Sequence, residues 1–127
     1  MPTDSRTVAL LLARGRVVFG LVALVLPGLL ARVMLGASSG HSRALLRMVG
    51  IRDVALGVGA ITNLKESAQD AEWVSMGALA DGGDAIALLI APTGRAARIG
   101  GSLFAAGAAA LGLACARQLA DERAAKG

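Results

Sequence analysis

Apolar residues fill four long stretches of this chain, and short polar or turn-forming runs separate them. The first stretch covers about residues 7–34, with its longest uncharged run at 17–31. Pro27-Gly28 is expected to kink or loosen its final turns, because proline removes a helical N–H and crowds the turn before it. Gly, Ser and His41 mark a loop at 36–42. The second stretch covers 43–64 and stops at Asn63 and the polar run 65–70. Asp70 is a candidate cap for the third, 71–91, with Glu72 in its first turn, where a helix favours negative charge. Pro92-Thr93-Gly94 breaks the chain before the fourth, 95–119, and the charged tail at 120–127 is expected to fray.

Spans of 20 to 28 residues, at about 1.5 Å per residue, are long enough to cross a hydrocarbon core of about 30 Å. Only the fourth contains 18 consecutive uncharged residues, 99–116; the others carry ionisable groups. Short loops make neighbouring helices antiparallel. The pattern therefore predicts an all-α, four-helix transmembrane bundle running up-down-up-down as one domain. Small residues supply its packing. Gly101, Ala105, Ala108 and Gly112 form one helical stripe, Gly50 and Gly57 flank Asp53, and Gly77 lies one turn before Asp81. Such positions let helices approach closely where lipid gives no hydrophobic drive for association.

Composition agrees with a membrane protein. Of 127 residues, 55% are hydrophobic and 17% charged, against about 25% charged in a soluble domain. The net charge of +4 would suit a nucleic-acid binder. The basic residues, however, are scattered singly, and aromatics for base stacking make up only 2%. A partner of nucleic acid is thereby excluded, and the lipid bilayer is the expected one, with a membrane partner or a second copy of the chain as further options. Arg14 and Arg16 interrupt the first apolar stretch, so it reads as a retained helix rather than a cleaved leader. Cys115, the one cysteine, reads as a small packing residue, and His41 has no nucleophile or carboxylate arranged with it. The run from Gly57 lacks the third glycine of a dinucleotide fingerprint, and Asp81-Gly-Gly-Asp84 lacks the further acids of a calcium loop. No catalytic, metal or cofactor motif emerges, and the expectation is a protein that is not an enzyme.

The distinctive chemistry is a set of charges inside the spans: Arg16, Arg52, Asp53, Asp81 and Asp84. Each costs roughly 2.5–3.5 kcal/mol at a bilayer centre on insertion scales, so partners are required. With spans at 45–64 and 73–91, the four charges on the second and third helices fall within roughly 4 Å of one plane. Arg52 and Asp84 lie on the first-loop side of it, Arg16 and Asp81 on the other. Arg52 is expected to pair with Asp84, and Arg16 to reach Asp81 or Asp53, since the guanidinium fork suits carboxylates and keeps its proton. Such a cluster reads as an ion-pair network setting helix register, as a polar pocket for a small ligand or proton, or as a contact with a partner helix.

Arg16-Val-Val-Phe-Gly20 with Pro27, then Gly50-Ile-Arg52-Asp53-Val-Ala-Leu-Gly57, then Asp81-Gly-Gly83-Asp84, resembles a family of small four-helix integral membrane proteins common in actinobacteria, a domain of unknown function. The resemblance implies an integral membrane location and brings no activity, substrate or cofactor with it. Small multidrug exporters share the length, but their glutamate in the first helix and their aromatic third helix are missing here. The expected role is a non-enzymatic membrane binding or accessory protein. A proton- or solute-coupled transporter is the alternative, an enzyme acting on lipid a weaker one, and a soluble apolar bundle another. Basic residues number six on the side of both termini and five on the other, which under the positive-inside rule sets both termini in the cytoplasm.

Overall fold

Pro27 divides the first apolar stretch in two. In the computed structural model, which describes residues 4–66 and 70–127, α1 (Ser5–Val25) ends where Leu26 leaves the helical region, at φ −122° and ψ 48°. The chain restarts as α2 (Pro27–Leu35) with proline in its first turn. A proline ring disfavours the α conformation in the residue before it, yet at a helix start its missing N–H costs nothing. The single helix expected over 7–34 is therefore two helices jointed at Leu26. Gly36, at φ 76°, closes α2 in the left-handed region, which glycine enters without strain.

The third helix, α3 (Gly40–Glu66), begins before the expected residue 43. The N–H of Ser42 donates to Ser39 Oγ at 3.1 Å and the N–H of Ser39 donates to Ser42 Oγ at 2.9 Å. This reciprocal cap satisfies donors that a helix start leaves open. It also moves His41 from the expected loop into an exposed first turn. The last two helices are α4 (Asp70–Ile90) and α5 (Arg95–Ala124). α5 thus takes in residues 120–124, where the sequence pattern expects fraying. Residues 67–69 of the polar run lie outside the described residues. Among the described residues the fold is all-α, with five helices.

Packing registers run in opposite directions along neighbouring helices. Along α1 and α3, Gly20 meets Gly50 while Ala13 and Val17 meet Gly57. Along α4 and α5, Ala78 meets Gly112 while Leu88 meets Gly101. Between α3 and α4, Trp73 lies over Gly59, and Arg52 reaches Asp84. All three pairs are antiparallel. A Cβ on Gly50 would lie 2.7 Å from the carbonyl oxygen of Gly20, and one on Gly57 would lie 2.7 Å from that of Ala13. The α1–α3 contact is therefore a backbone-to-backbone approach that only glycine allows. Gly20 and Gly59 join the packing positions named from the sequence.

Large side chains face outward and small ones inward. The buried core is mostly alanine, with Ala9, Ala13, Ala23 and Ala31 along α1 and α2 almost fully covered. Val25, Val33, Ile90 and Phe104 are each at least 74% exposed. A contiguous buried cluster, including Ala9, Leu64, Val74, Cys115 and Leu119, sits where the start of α1, the end of α3, the start of α4 and the end of α5 converge. Helices α1, α4 and α5 are long and apolar enough to cross a membrane; α3 carries too many charges to qualify on composition.

Gly50→Ala drives its new methyl into the Gly20 backbone and should cost about 1–3 kcal/mol, the usual penalty of overpacking. Gly82, with open space around it, should instead accept alanine with a gain of up to about 1 kcal/mol from helix propensity. Thermal unfolding in detergent, read by circular dichroism, separates the two.

Candidate functional site

Five charged side chains form one continuous series across three helices. Arg52 of α3 holds Asp84 of α4 with both terminal nitrogens, Nη1 to Oδ1 at 2.8 Å and Nη2 to Oδ2 at 2.6 Å. The same Arg52 donates from Nε and Nη2 to Oδ1 of Asp53, its neighbour in sequence, at 3.2 and 3.1 Å. That oxygen also accepts from Nη1 of Arg16 on α1, at 3.1 Å. Arg16 Nη2 then closes the series on α4, donating to Asp81 Oδ2 at 2.5 Å and to the Gly77 carbonyl at 3.0 Å. The order Asp84, Arg52, Asp53, Arg16, Asp81 alternates in sign. It starts and ends on α4, one helical turn apart.

Local structure explains the reach. Arg16, Asp53 and Asp81 each fall near the middle of their helices, so their levels match. Gly77, Asp81 and Asp84 share a face of α4 through spacings of four and three. The absence of a side chain at Gly77 leaves room for the guanidinium, since a Cβ there would lie 3.2 Å from Arg16 Nη2. Arg16 therefore bonds both candidate carboxylates that its sequence position allows, and a backbone oxygen as well. Its side chain is 14% exposed and that of Asp53 only 7%, so solvent does little to screen the contact.

Beside this series lies a cavity of about 480 Å³ between α1, α4 and α5. Arg16, Asp53, Asp81 and Asp84 line it, while Leu11, Leu12, Phe19, Phe104 and Leu111 form an apolar wall. The small-residue stripe serves two purposes here. Gly101 and Gly112 touch Leu88 and Ala78 of α4, whereas Ala105 and Ala108 leave the hollow that the cavity occupies. Asp81 uses only Oδ2 toward Arg16; its Oδ1 has no hydrogen-bond partner among the described residues.

A second polar cluster, not foreseen from the sequence, ties the chain ends together. Asp70 is 1% exposed. Its Oδ2 accepts from Arg6 Nη2 at 3.1 Å and its Oδ1 from Arg123 Nη2 at 2.5 Å. Arg6 Nη1 also donates to the Leu64 carbonyl at 2.7 Å, and Ser5 Oγ donates to Glu122 at 2.7 Å. Asp70 is the first residue of α4 rather than a cap outside it, and its Oδ1 also accepts from the N–H of Ala71. The two arginines stand 64 and 53 positions away in sequence, beyond any local pattern.

Among the described residues no group of three or more His, Cys, Asp or Glu side chains is placed to hold a metal ion. Comparison with protein-family models, curated proteins and solved structures finds no match to this chain.

Removing one member of a buried ion pair strands its partner. Arg16→Leu orphans Asp81 and takes one of two arginines from Asp53, and should cost about 3–5 kcal/mol, the range for breaking buried pairs. Arg52→Leu and Asp84→Leu should each cost less, because the pair is one-third exposed. In a double-mutant cycle read by thermal unfolding in detergent, that pair should couple by more than about 0.5 kcal/mol. Additive effects would show that Arg52 and Asp84 do not act together.

Proposed function

We propose that this chain is a multi-pass integral membrane protein, an up-down-up-down bundle of four spans in which α1 and α2 together make the first. What supports the reading is the inverted distribution of side-chain size. A protein in water would not leave Val25, Val33, Ile90 and Phe104 uncovered while burying alanine. In lipid that arrangement costs nothing, and small interior residues give the close helix contacts that association there requires. The charges of α3 fit the same picture. Arg52 and Asp53 are met by α1 and α4, so a helix of 27 residues, about 40 Å long, spans with its central charges paired.

Within the membrane the protein acts as a non-enzymatic binding or accessory protein through the cavity between α1, α4 and α5. The single observation that carries this is the meeting of an apolar hollow with one polar wall holding Arg16 and Asp81. Sites for small ligands have this make-up, apolar for the most part with a few polar groups that orient the ligand. Ionisable residues inside a membrane domain mark ligand or ion paths. Proton- or solute-coupled transport is the second reading, favoured by one specific feature: three carboxylates meet only two arginines.

Alkaline carbonate extraction should leave the protein in the membrane pellet; recovery in the soluble fraction would overturn the first part of the reading. For orientation, the excess of basic residues on the side of the termini sets both in the cytoplasm. A reporter enzyme that works only outside the cytoplasm should stay inactive when fused to the C-terminus.

A further inference from the structure

Charge balance at the cavity selects the ligand. The alternating series contains Asp53, Asp81 and Asp84 against Arg16 and Arg52, so it carries one net negative charge when all five are ionised. An uncompensated charge is costly in a medium that solvates poorly, and the arrangement becomes neutral by taking up one positive charge, a proton or a bound cation but not an anion. Arg16 has little left to offer an anion: Nη1 is committed to Asp53, and Nη2 to Asp81 and the Gly77 carbonyl. Asp81, by contrast, lines the cavity with Oδ1 free to accept. A bare metal ion finds no third ligand group among the described residues, and a hydrated one has no place against Leu11, Phe19 and Phe104.

We propose, building on the binding reading above, that the cavity takes a lipophilic ammonium ion: a protonated amine whose N–H groups donate to Asp81 while its hydrocarbon body lies along the α1–α5 wall. The volume of about 480 Å³ falls within the roughly 300–1,000 Å³ of small-molecule sites. Membrane insertion supplies the route, since an amphiphilic amine partitions into the bilayer and meets the cavity from the side.

Trp73, the only tryptophan, also lines the cavity, so its emission reports occupancy. The purified protein in nanodiscs of neutral lipid is titrated at pH 7 with decylamine, decanol and decanoate, which differ in charge but hardly in size. Decylamine should change the Trp73 emission saturably and bind at least tenfold tighter than decanol, with decanoate weakest. Asp81→Asn, which leaves Arg16 bonded to Asp53 and Gly77, should remove the preference for the amine. Ala108→Phe, which fills the hollow, should block all three. Equal binding of amine and alcohol by the wild-type protein overturns the ammonium assignment without help from any variant, as does preference for decanoate. If amine and alcohol bind equally and Ala108→Phe blocks both, the binding reading stands while the ammonium assignment falls. If none of the three binds, both fall.

Discussion

One guanidinium holds the middle of this molecule together. Arg16 reaches from α1 to Asp53 on α3 and to Asp81 and the Gly77 carbonyl on α4, so three helices meet at a single side chain. On the proposed membrane reading apolar surfaces gain little by finding one another, and an interaction that cannot be satisfied elsewhere carries more of the specificity. A planar fork with several donors suits this position and a lysine would not, because a point charge cannot address acceptors on two helices at fixed angles. Around that anchor, glycine sets how near the helices come. The approaches at Gly20–Gly50 and at Gly57 bring α1 and α3 within backbone contact, which keeps Arg16 and Asp53 within hydrogen-bond reach. The polar network and the small-residue seams depend on each other: charge fixes the register that the seams need, and the seams fix the distance that the charges need.

The ends of the bundle are organised differently from its middle. At one end Asp70 draws in Arg6 and Arg123, joining the start of α1, the start of α4 and the end of α5 around the alanine- and leucine-lined core. From there the cavity extends along the bundle past the central charges, lined by Val8 and Ala9 near the clasp and by Phe19 and Leu88 further along. The clasp and the cavity are two aspects of one arrangement, in which two antiparallel hairpins, α1–α3 and α4–α5, are tied by salt bridges rather than by a continuous apolar seam.

Much of this was legible in the residues, for reasons that differ from place to place. Proline at 27 and the Pro92-Thr93-Gly94 break are backbone signals and need no tertiary information. The second gives its helix boundaries closely, and at the first the expected kink is a full break between two helices. The meeting of Arg52 with Asp84 follows from depth alone, because two antiparallel helices of known length bring fixed residues to one level. Arg16 was harder: a long arm at the right depth has two carboxylates within range, and only the position of α1 against both α3 and α4 tells that it takes both. The Asp70 cluster was hidden behind a local explanation. An aspartate at a helix start reads as a cap, and nothing local indicates that it sits in the first turn and that residues from both ends of the chain come to bury it. The helical continuation of α5 through 120–124 was hidden by the same fact, since Arg123 and Glu122 gain partners only once the ends have met. The start of α3 turned on a serine pair, Ser39 and Ser42, that looks in sequence like loop material.

The odd number of charges in the central series follows from its geometry. A series that leaves α4, crosses α3 and α1 and returns to α4 needs links that alternate in sign, and such a path between two acids on one helix always has one more acid than base. Exchanging Asp81, which gives Arg16 a single oxygen, for asparagine would leave an even, neutral network with nearly the same hydrogen bonds, whereas at Asp84 both oxygens are needed by Arg52. That the chain instead carries a carboxylate at both ends, one of them with an oxygen open to a cavity, is the kind of local cost that natural proteins retain at sites of use rather than in their scaffolding. The register-setting role accounts for Arg16, Asp53 and the Arg52–Asp84 pair. It does not account for the negative charge of Asp81, since an amide oxygen there could accept the same hydrogen bond from Arg16, and that remainder is what the proposed binding site uses.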